Sequence, residues 1–162
     1  RMNEFTAAIA LAQTERLNFF VKLRRTTGLA FSRVLKKNKY LIPQKISKKA
    51  YSSYYTYAVK LIPNKSKKLN WVNFRKRFIE YGGDGIYAAS KLLQQEPAIM
   101  KYRIGRCFTS CEKDCIINCK GTPVAKNLQK HLLLFTTNQS SKDEVEKQII
   151  ALNKTIKFFN IG

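Results

Sequence analysis

The chain has 162 residues, of which 44% are hydrophobic and 12% aromatic, with seven glycines, four prolines and a formal charge of +21. It is too aromatic and too poor in chain breakers for a disordered tail, and it shows no Gly-X-Y period, heptad run or long repeat, which excludes collagen, extended coiled coil and solenoid. Its longest apolar runs, such as Leu132-Leu133-Leu134-Phe135, fall far short of the roughly 20 residues that cross a bilayer, so no membrane span is expected.

Near the N-terminus, Glu4, Glu15, Arg16 and Lys22 interrupt every apolar stretch, which argues against a signal peptide. Arg1 precedes Met2, which is not a natural start. With no export signal the expected location is cytoplasmic, and four cysteines do not suggest a secreted disulfide scaffold.

From Asn3 to about Lys37 the spacing predicts one long helix. Phe5, Ala8, Ile9, Ala12, Phe19, Phe20, Leu23, Ala30, Phe31, Val34 and Leu35 recur at steps of three and four, with Arg16 and Thr27 as polar gaps. Asn3 is placed to cap it, and Glu4 suits the positive end of the helix dipole. Gly28 marks either a bend or a close contact. A basic connection containing Pro43 follows, and then Tyr51 to Ile62 alternates as a strand, with Tyr55, Tyr57, Val59 and Leu61 on one face.

Pro63 to Lys68 reads as a solvated loop. Asn70 caps a helix with Trp71, Phe74 and Phe78 on one side, and Gly82-Gly83 ends it. A short strand through Gly85-Ile86-Tyr87 precedes a helical patch from Ala88 to Gln95 that Pro97 closes. Residues 100 to 122 show no clean period. Pro123 opens a short helix to Lys130, Leu132 to Thr136 reads as a buried strand, and Ser141 with Glu144 forms a capping box. The last helix then runs to about Phe159, with Val145, Ile149, Leu152, Ile156 and Phe159 on one face. The expected fold is α/β (α+β-like, two-layer): a long N-terminal helix over residues 1–37, followed by a small domain over residues 38–162 whose sheet is covered by helices on one side.

The charge comes from 31 basic against 10 acidic residues. Between Leu17 and Ile79 there is no Asp or Glu, while that stretch carries 17 Lys and Arg. Such a field attracts phosphate-bearing polyanions, including nucleic acid. Lysine-rich surface composition explains the same numbers without a partner, and no zinc-finger spacing, ribonucleoprotein signature or basic zipper accompanies them. Eight tyrosines, five of them between residues 40 and 57, suit base stacking but also suit a strand.

Cys107, Cys111, Cys115 and Cys119 recur every fourth residue. On a helix they would share a face able to hold zinc or an iron–sulfur cluster, yet the two-residue knuckle of usual metal sites is missing, and ordinary half-buried thiols are the simpler reading, with a disulfide as another. His131 is the only histidine and sits at the start of an apolar strand, where a structural role is the simpler reading. No Ser/His/Asp or Cys/His arrangement can be assembled, and Gly82-Gly83-Asp84-Gly85 lacks the Lys-Ser/Thr of a phosphate loop. The residues alone show no complete catalytic apparatus.

One stretch is more specific. Arg1-Met2-Asn3-Glu4-Phe5-Thr6-Ala7-Ala8-Ile9-Ala10-Leu11-Ala12-Gln13-Thr14-Glu15-Arg16-Leu17 closely resembles a signature of the DegT/DnrJ/StrS family, pyridoxal-phosphate aminotransferases acting on nucleotide-linked keto sugars. Tyr54 to Leu61 resembles the Tyr-rich strand of that family's small domain, and Trp71 to Tyr81 its following helix. Gly82 to Ala89 is similar to the turn of one subgroup. Pro123-Val124-Ala125, the strand from Leu132, Thr137-Asn138 and the last helix resemble the closing section.

The resemblance implies the C-terminal small domain of a fold-type I enzyme, of the kind used in surface-polysaccharide and deoxyamino-sugar biosynthesis. It implies pyridoxal phosphate as the parent family's cofactor, with none held by this chain alone, because the Schiff-base lysine belongs to a large domain preceding Arg1. No lysine here matches that motif, and no catalytic residue is assigned. Arg1 and Asn3 would begin a helix near the active site and subunit interface, and Gly85 and Tyr87 would lie at the turn that faces substrate. Many members have a His-Tyr pair there, whereas Ile86 precedes Tyr87 in this chain. The expected partners are a nucleotide sugar in the complete enzyme and a second copy of the chain through the N-terminal helix. The alternative is a non-enzymatic basic module that binds nucleic acid or another polyanion.

Overall fold

The computed structural model describes residues 2–88, 91–98 and 122–162. Among these residues, five helices accompany a four-stranded antiparallel sheet of order β1-β2-β4-β3, a mixed α/β fold. The elements are α1 (Glu4–Glu15), α2 (Leu17–Leu35), β1 (Leu41–Pro43), β2 (Thr56–Leu61), α3 (Trp71–Glu80), β3 (Ile86–Ala88), α4 (Pro123–Gln129), β4 (Leu132–Thr136) and α5 (Lys142–Phe158).

The predicted single N-terminal helix is two helices broken at Arg16. Thr14 Oγ1 donates to Ala10 O at 2.7 Å, a back-bond that bends helices. Arg16 then leaves helical geometry at φ −94°, ψ 2°, and its N–H bonds to Thr14 O. Gly28 is not the bend. A Cβ there would meet the Tyr54 ring at 2.7 Å, so glycine is required by close approach.

Strand β2 is shorter than the alternation suggested. Tyr54 adopts φ 50°, which ends the extended run before Thr56. Tyr57, Val59 and Leu61 point into the core as predicted, whereas Tyr55 is 78% exposed. Strand β1 lies within the stretch read as a connection. It is three residues long and closes on Pro43, which is tolerated because β1 is the edge of the sheet. Asn38 Oδ1 starts it by accepting from the N–H groups of Tyr40 and Leu41. Ala88 ends β3 rather than opening a helix, and a single 3-10 turn covers Leu93–Gln95.

The caps follow the sequence closely. Asn3 Oδ1 accepts from Thr6 N–H, Asn70 Oδ1 from Asn73 N–H and Ser141 Oγ from Glu144 N–H. Each such cap contributes about 1 kcal/mol. The reciprocal half of the last box is displaced by one residue. The Glu144 carboxylate accepts from both the N–H and the hydroxyl of Ser140, and these bonds hold it below the usual carboxylate range. Helix α3 stops at Gly82, whose φ of 86° suits glycine.

One face of the sheet packs against α2, α3 and α5, and their side chains meet around Phe135. Its ring lies 5.2 Å from Phe31 and edge-on to Phe78 at 5.3 Å. Full burial of such a side chain contributes roughly 1.5–3 kcal/mol. Helix α5 is rotated relative to the predicted stripe. Ala151, Leu152, Thr155 and Ile156 are buried with Gln148, while Val145 and Ile149 are only half-buried. The opposite face of the sheet carries Ile42, Ala58, Leu134 and Tyr87 and is partly open. Helix α1 has no buried residue, and Met2, Phe5, Ile9 and Leu11 are exposed along it.

Candidate functional site

Antiparallel pairing brings Thr56 opposite Thr136 and Ile86 opposite Phe135. The entry to β2, the exit of β4 and the turn before β3 therefore meet at one end of the sheet. Thr137 is the hub of that end. Its buried hydroxyl bonds to Tyr54 O at 2.5 Å, and Arg24 Nη1 reaches it at 3.3 Å. The same Nη1 donates to Tyr55 O at 3.0 Å, and the guanidinium lies 5.4 Å from the Tyr55 ring. The next residue of α2, Arg25, donates to Ser52 O and sits 3.8 Å from the Tyr51 ring. Two arginines on one helix thus fasten the 51–55 loop.

The turn before β3 is fastened as firmly. Gln148 Oε1 accepts from Asp84 N–H at 2.8 Å, and Gln139 Nε2 donates to Asp84 Oδ2 at 2.7 Å. Both glutamines are 4% exposed while Asp84 is exposed, so a buried amide of each is tied to a residue at the surface. Beneath this end, Tyr57 is 3% exposed and its hydroxyl lies 2.9 Å from Ser32 Oγ. Burial pushes its pKa above the ordinary tyrosine value of 10.0, against the opposing effect of the Ser32 bond.

Between these anchors lies an open depression of about 480 Å³ on the uncovered face of the sheet. Its walls include Arg24, Tyr55, Tyr87, Thr136 and Asn138. Among the described residues Arg24 is the one charged side chain in its wall, and it also lines an adjoining depression of about 380 Å³ with Phe20 and Asn138. The arrangement suits a ligand that has both a planar part and an anionic part.

Of the residues singled out from the sequence, Tyr87 lines the depression and is 61% exposed. Gly85 is exposed at the turn, and a Cβ there would meet nothing within 4 Å. Asn3 stands at the start of α1, where its described bond is the cap. Arg1, Cys107, Cys111, Cys115 and Cys119 lie outside the described residues. Among the described residues no group of three or more His, Cys, Asp or Glu side chains could hold a metal. His131 serves through its backbone, its carbonyl accepting from Leu61 N–H at 2.7 Å. Arg24, Tyr55 and Asp84 were not named as site residues, although Tyr55, Asp84 and Thr137-Asn138 all lie in segments that resemble the family.

The sequence model of the DegT/DnrJ/EryC1/StrS aminotransferase family matches residues 1–94, more than half of the chain. The chain belongs to this family. Comparison with curated proteins gives no match. Among solved structures, PseC from Helicobacter pylori, described as an aminotransferase involved in pseudoaminic acid biosynthesis, is 18% identical with a TM-score of 0.69. The match covers 97% of this chain and 38% of that one. The aminotransferase TlmJ from Streptoalloteichus hindustanus is 20% identical with a TM-score of 0.72, covering 98% and 38%. The sugar aminotransferase CalS13 from Micromonospora echinospora is 14% identical with a TM-score of 0.67, covering 96% and 35%. At these identities the likeness is one of fold. The chain spans less than two-fifths of the length of each of these three structures.

The family implies pyridoxal phosphate in the parent enzymes. The residues described do not make a site for it. No lysine lines either depression around Arg24, and the half-buried Lys67 donates to Asn160 O at the other end of the sheet. No helix among the described residues is long and apolar enough to cross a membrane.

Proposed function

We propose that this chain is the C-terminal small-domain portion of a pyridoxal-phosphate-dependent aminotransferase acting on a nucleotide-linked keto sugar. The family match over residues 1–94 carries the reading. The fold and the fraction of the solved enzymes that it spans are consistent with a portion of such an enzyme. In this reading residues 1–37 connect to a large domain that supplies the Schiff-base lysine, residues 38–162 form the small domain, and the chain alone does not transaminate.

The test is direct. The 162-residue chain, given pyridoxal phosphate and an amino donor, is expected to leave a nucleotide-linked keto sugar unchanged and to yield no pyridoxyl-lysine after borohydride reduction. A gene product that includes a cofactor-binding domain is expected to convert the same substrate. Turnover by the 162-residue chain, or none by the longer product, overturns the proposal.

Assembly belongs to the same reading. Helix α1 presents Phe5 at 84% exposure and Ile9 at 65%, and an exposed apolar stripe of this kind marks a contact surface. Self-association through α1 is expected in sedimentation, and Phe5→Asp with Ile9→Asp should abolish it. A wild-type monomer at high concentration contradicts it.

A second reading, polyanion binding, is favoured by one observation. Lys36, Lys37, Lys39, Lys65, Lys68, Lys154 and Lys157 are exposed on segments that meet at the end of the sheet away from Thr137, linked by the bonds of Asn38 to Ile161 O and Lys67 to Asn160 O. Nucleic-acid affinity of this origin must fall steeply with added salt.

A further inference from the structure

The turn between α3 and β3 carries a chemical feature found nowhere else in the chain. Asp84-Gly85 is the only Asp-Gly pair in the sequence, and no Asn-Gly pair occurs. A main-chain nitrogen can attack the side-chain carboxyl of the residue before it and close a five-membered ring. Glycine after the acid favours this step, because no Cβ shields the attacking nitrogen.

The structure leaves the pair open to that reaction. Both residues are exposed. Gly85 lies outside β3, its N–H has no described hydrogen bond, and a Cβ there would meet nothing within 4 Å. The restraint falls on Asp84. Gln148 Oε1 accepts from its N–H at 2.8 Å, and Gln139 Nε2 donates to its Oδ2 at 2.7 Å. The amide on the N-terminal side of Asp84 is thus fixed, while its carboxyl group is held by one bond to one oxygen.

We propose that Asp84-Gly85 is a site of spontaneous isoaspartate formation and that the bond from Gln139 sets its rate. Gly85 N attacks Asp84 Cγ and gives up its proton, and the hydroxyl of the protonated carboxyl leaves with that proton as water. One water then opens the succinimide. Addition at Cγ restores aspartate. Addition at the main-chain carbonyl carbon of Asp84 leaves the peptide link running through Cβ and Cγ, with a free carboxylate on Cα. One water leaves, one returns, and nothing is oxidised or reduced. The step needs no cofactor and no enzyme, so it stands apart from the aminotransferase reading. Cγ must turn toward Gly85 for the ring to close, which takes Oδ2 away from Gln139.

The product alters the turn. The main chain gains one methylene at the exposed Gly85, and the carboxylate leaves the position that Gln139 Nε2 reaches. Gln139 is 4% exposed and its Oε1 is already without a partner. The neighbour that remains to its Nε2 is Thr136 Oγ1 at 3.5 Å. A buried donor left so poorly paired is destabilising, and the turn loses its tie to the exit of β4.

The experiment is ageing of the folded full chain at physiological temperature and pH. Tryptic digestion follows, and then methyl transfer from S-adenosylmethionine by a protein isoaspartyl methyltransferase. The tryptic peptide 78–91 contains one Asp and no Asn, so label on it reports Asp84 alone. Label is expected there and should grow with time, more slowly than in the free 78–91 peptide. Gln139→Met keeps the volume and removes the donor. It should speed labelling by about tenfold, the rate equivalent of one hydrogen bond to a charged group. Gly85→Ala, for which there is room, should slow labelling severalfold. Melting curves check that both variants fold, and the aged parent should melt below the fresh one while Gly85→Ala ages with little change. No label on 78–91 in the folded chain, after a period that labels the free peptide, overturns the site. Equal rates in the parent and in a folded Gln139→Met overturn the control by Gln139. Should Gln139→Met not fold, labelling of the folded parent as fast as the free peptide overturns that control instead.

Discussion

The two ends of the sheet are built by different chemistry. At the Thr137 end several polar groups are tied to particular partners, as in the chain from Gln148 through Asp84 to Gln139 and in Arg24 between Tyr55 and Thr137, although Gln139 Oε1 is buried without one. At the other end lysines are abundant and mostly unattached. Residues 34–41, 61–70 and 150–162 contain no Asp or Glu, and the single ion pair among the described residues, Arg77 to Glu80, lies within α3. Helix α2 finishes there, as does α5, and cations near helix C-termini are favoured by the dipole. One end has bonding geometry that composition cannot supply, and the other has charge that composition can. The first is the better evidence for a site.

If that contrast is right, disturbing the anchors of the Thr137 end should be the larger perturbation. Gly28→Ala places a methyl group 2.7 Å from the Tyr54 ring, and the loop must move because α2 is buried at Thr27, Gly28 and Phe31. Overpacking of this kind costs about 1–3 kcal/mol. Urea unfolding should show the loss, and the loosened loop should raise proteolysis near Tyr51. A variant as stable as the parent would mean that the loop is not clamped.

A smaller effect is expected from Tyr57→Phe, which removes the bond to Ser32 and should cost about 1 kcal/mol at neutral pH. The pH dependence sharpens the test. Because burial raises the folded-state pKa of Tyr57 above 10.0, its contribution is fully present below pH 10. Above that, the unfolded chain releases a proton that the folded chain retains, so stability falls as pH rises through the folded pKa. The informative quantity is the difference between the two proteins, which isolates Tyr57. The stability loss as pH rises above about 10 should be shallower in Tyr57→Phe, and equal slopes would contradict the burial argument.

Much of the fold was legible because its signals are local. Asn70, Ser141 and the Gly82 turn lie within a few residues of the helix ends they define, and the alternation of Tyr57, Val59 and Leu61 declares a half-buried strand. Strand β1 was not legible because three residues with a proline carry no period, and its existence depends on Leu61 across the sheet. The break at Arg16 was hidden because the apolar spacing runs through it, while the Thr14 hydroxyl acts on the backbone. The site was the least legible. Arg24 reads as one cation among many on a helix, and its partners stand 31 and 113 residues away. Tyr87 was found only through resemblance to a family turn, since an alternating tyrosine cannot declare which side of a sheet the helices will cover.

The smallest effect should come from the lysine end, and its smallness is the point. Lys36→Gln, Lys39→Gln and Lys65→Gln remove three exposed charges that have no described bond to another residue through the ammonium. Each should change stability by no more than about 0.5 kcal/mol, the usual range for surface positions without a specific partner. The direction should be upward at low salt, because the chain carries +21 and its like charges repel. The gain should fade as salt shortens the Debye length to about 3 Å near 1 M. Lys67 is the internal control, since it donates to Asn160 O and lies 5.1 Å from the Tyr40 ring. Lys67→Gln should therefore destabilise where the other three do not. A loss of more than about 2 kcal/mol on replacing the three together would exceed what exposed, unpaired lysines can contribute. It would place at this end a bonded structure like that around Thr137, and the contrast between the two ends would no longer hold.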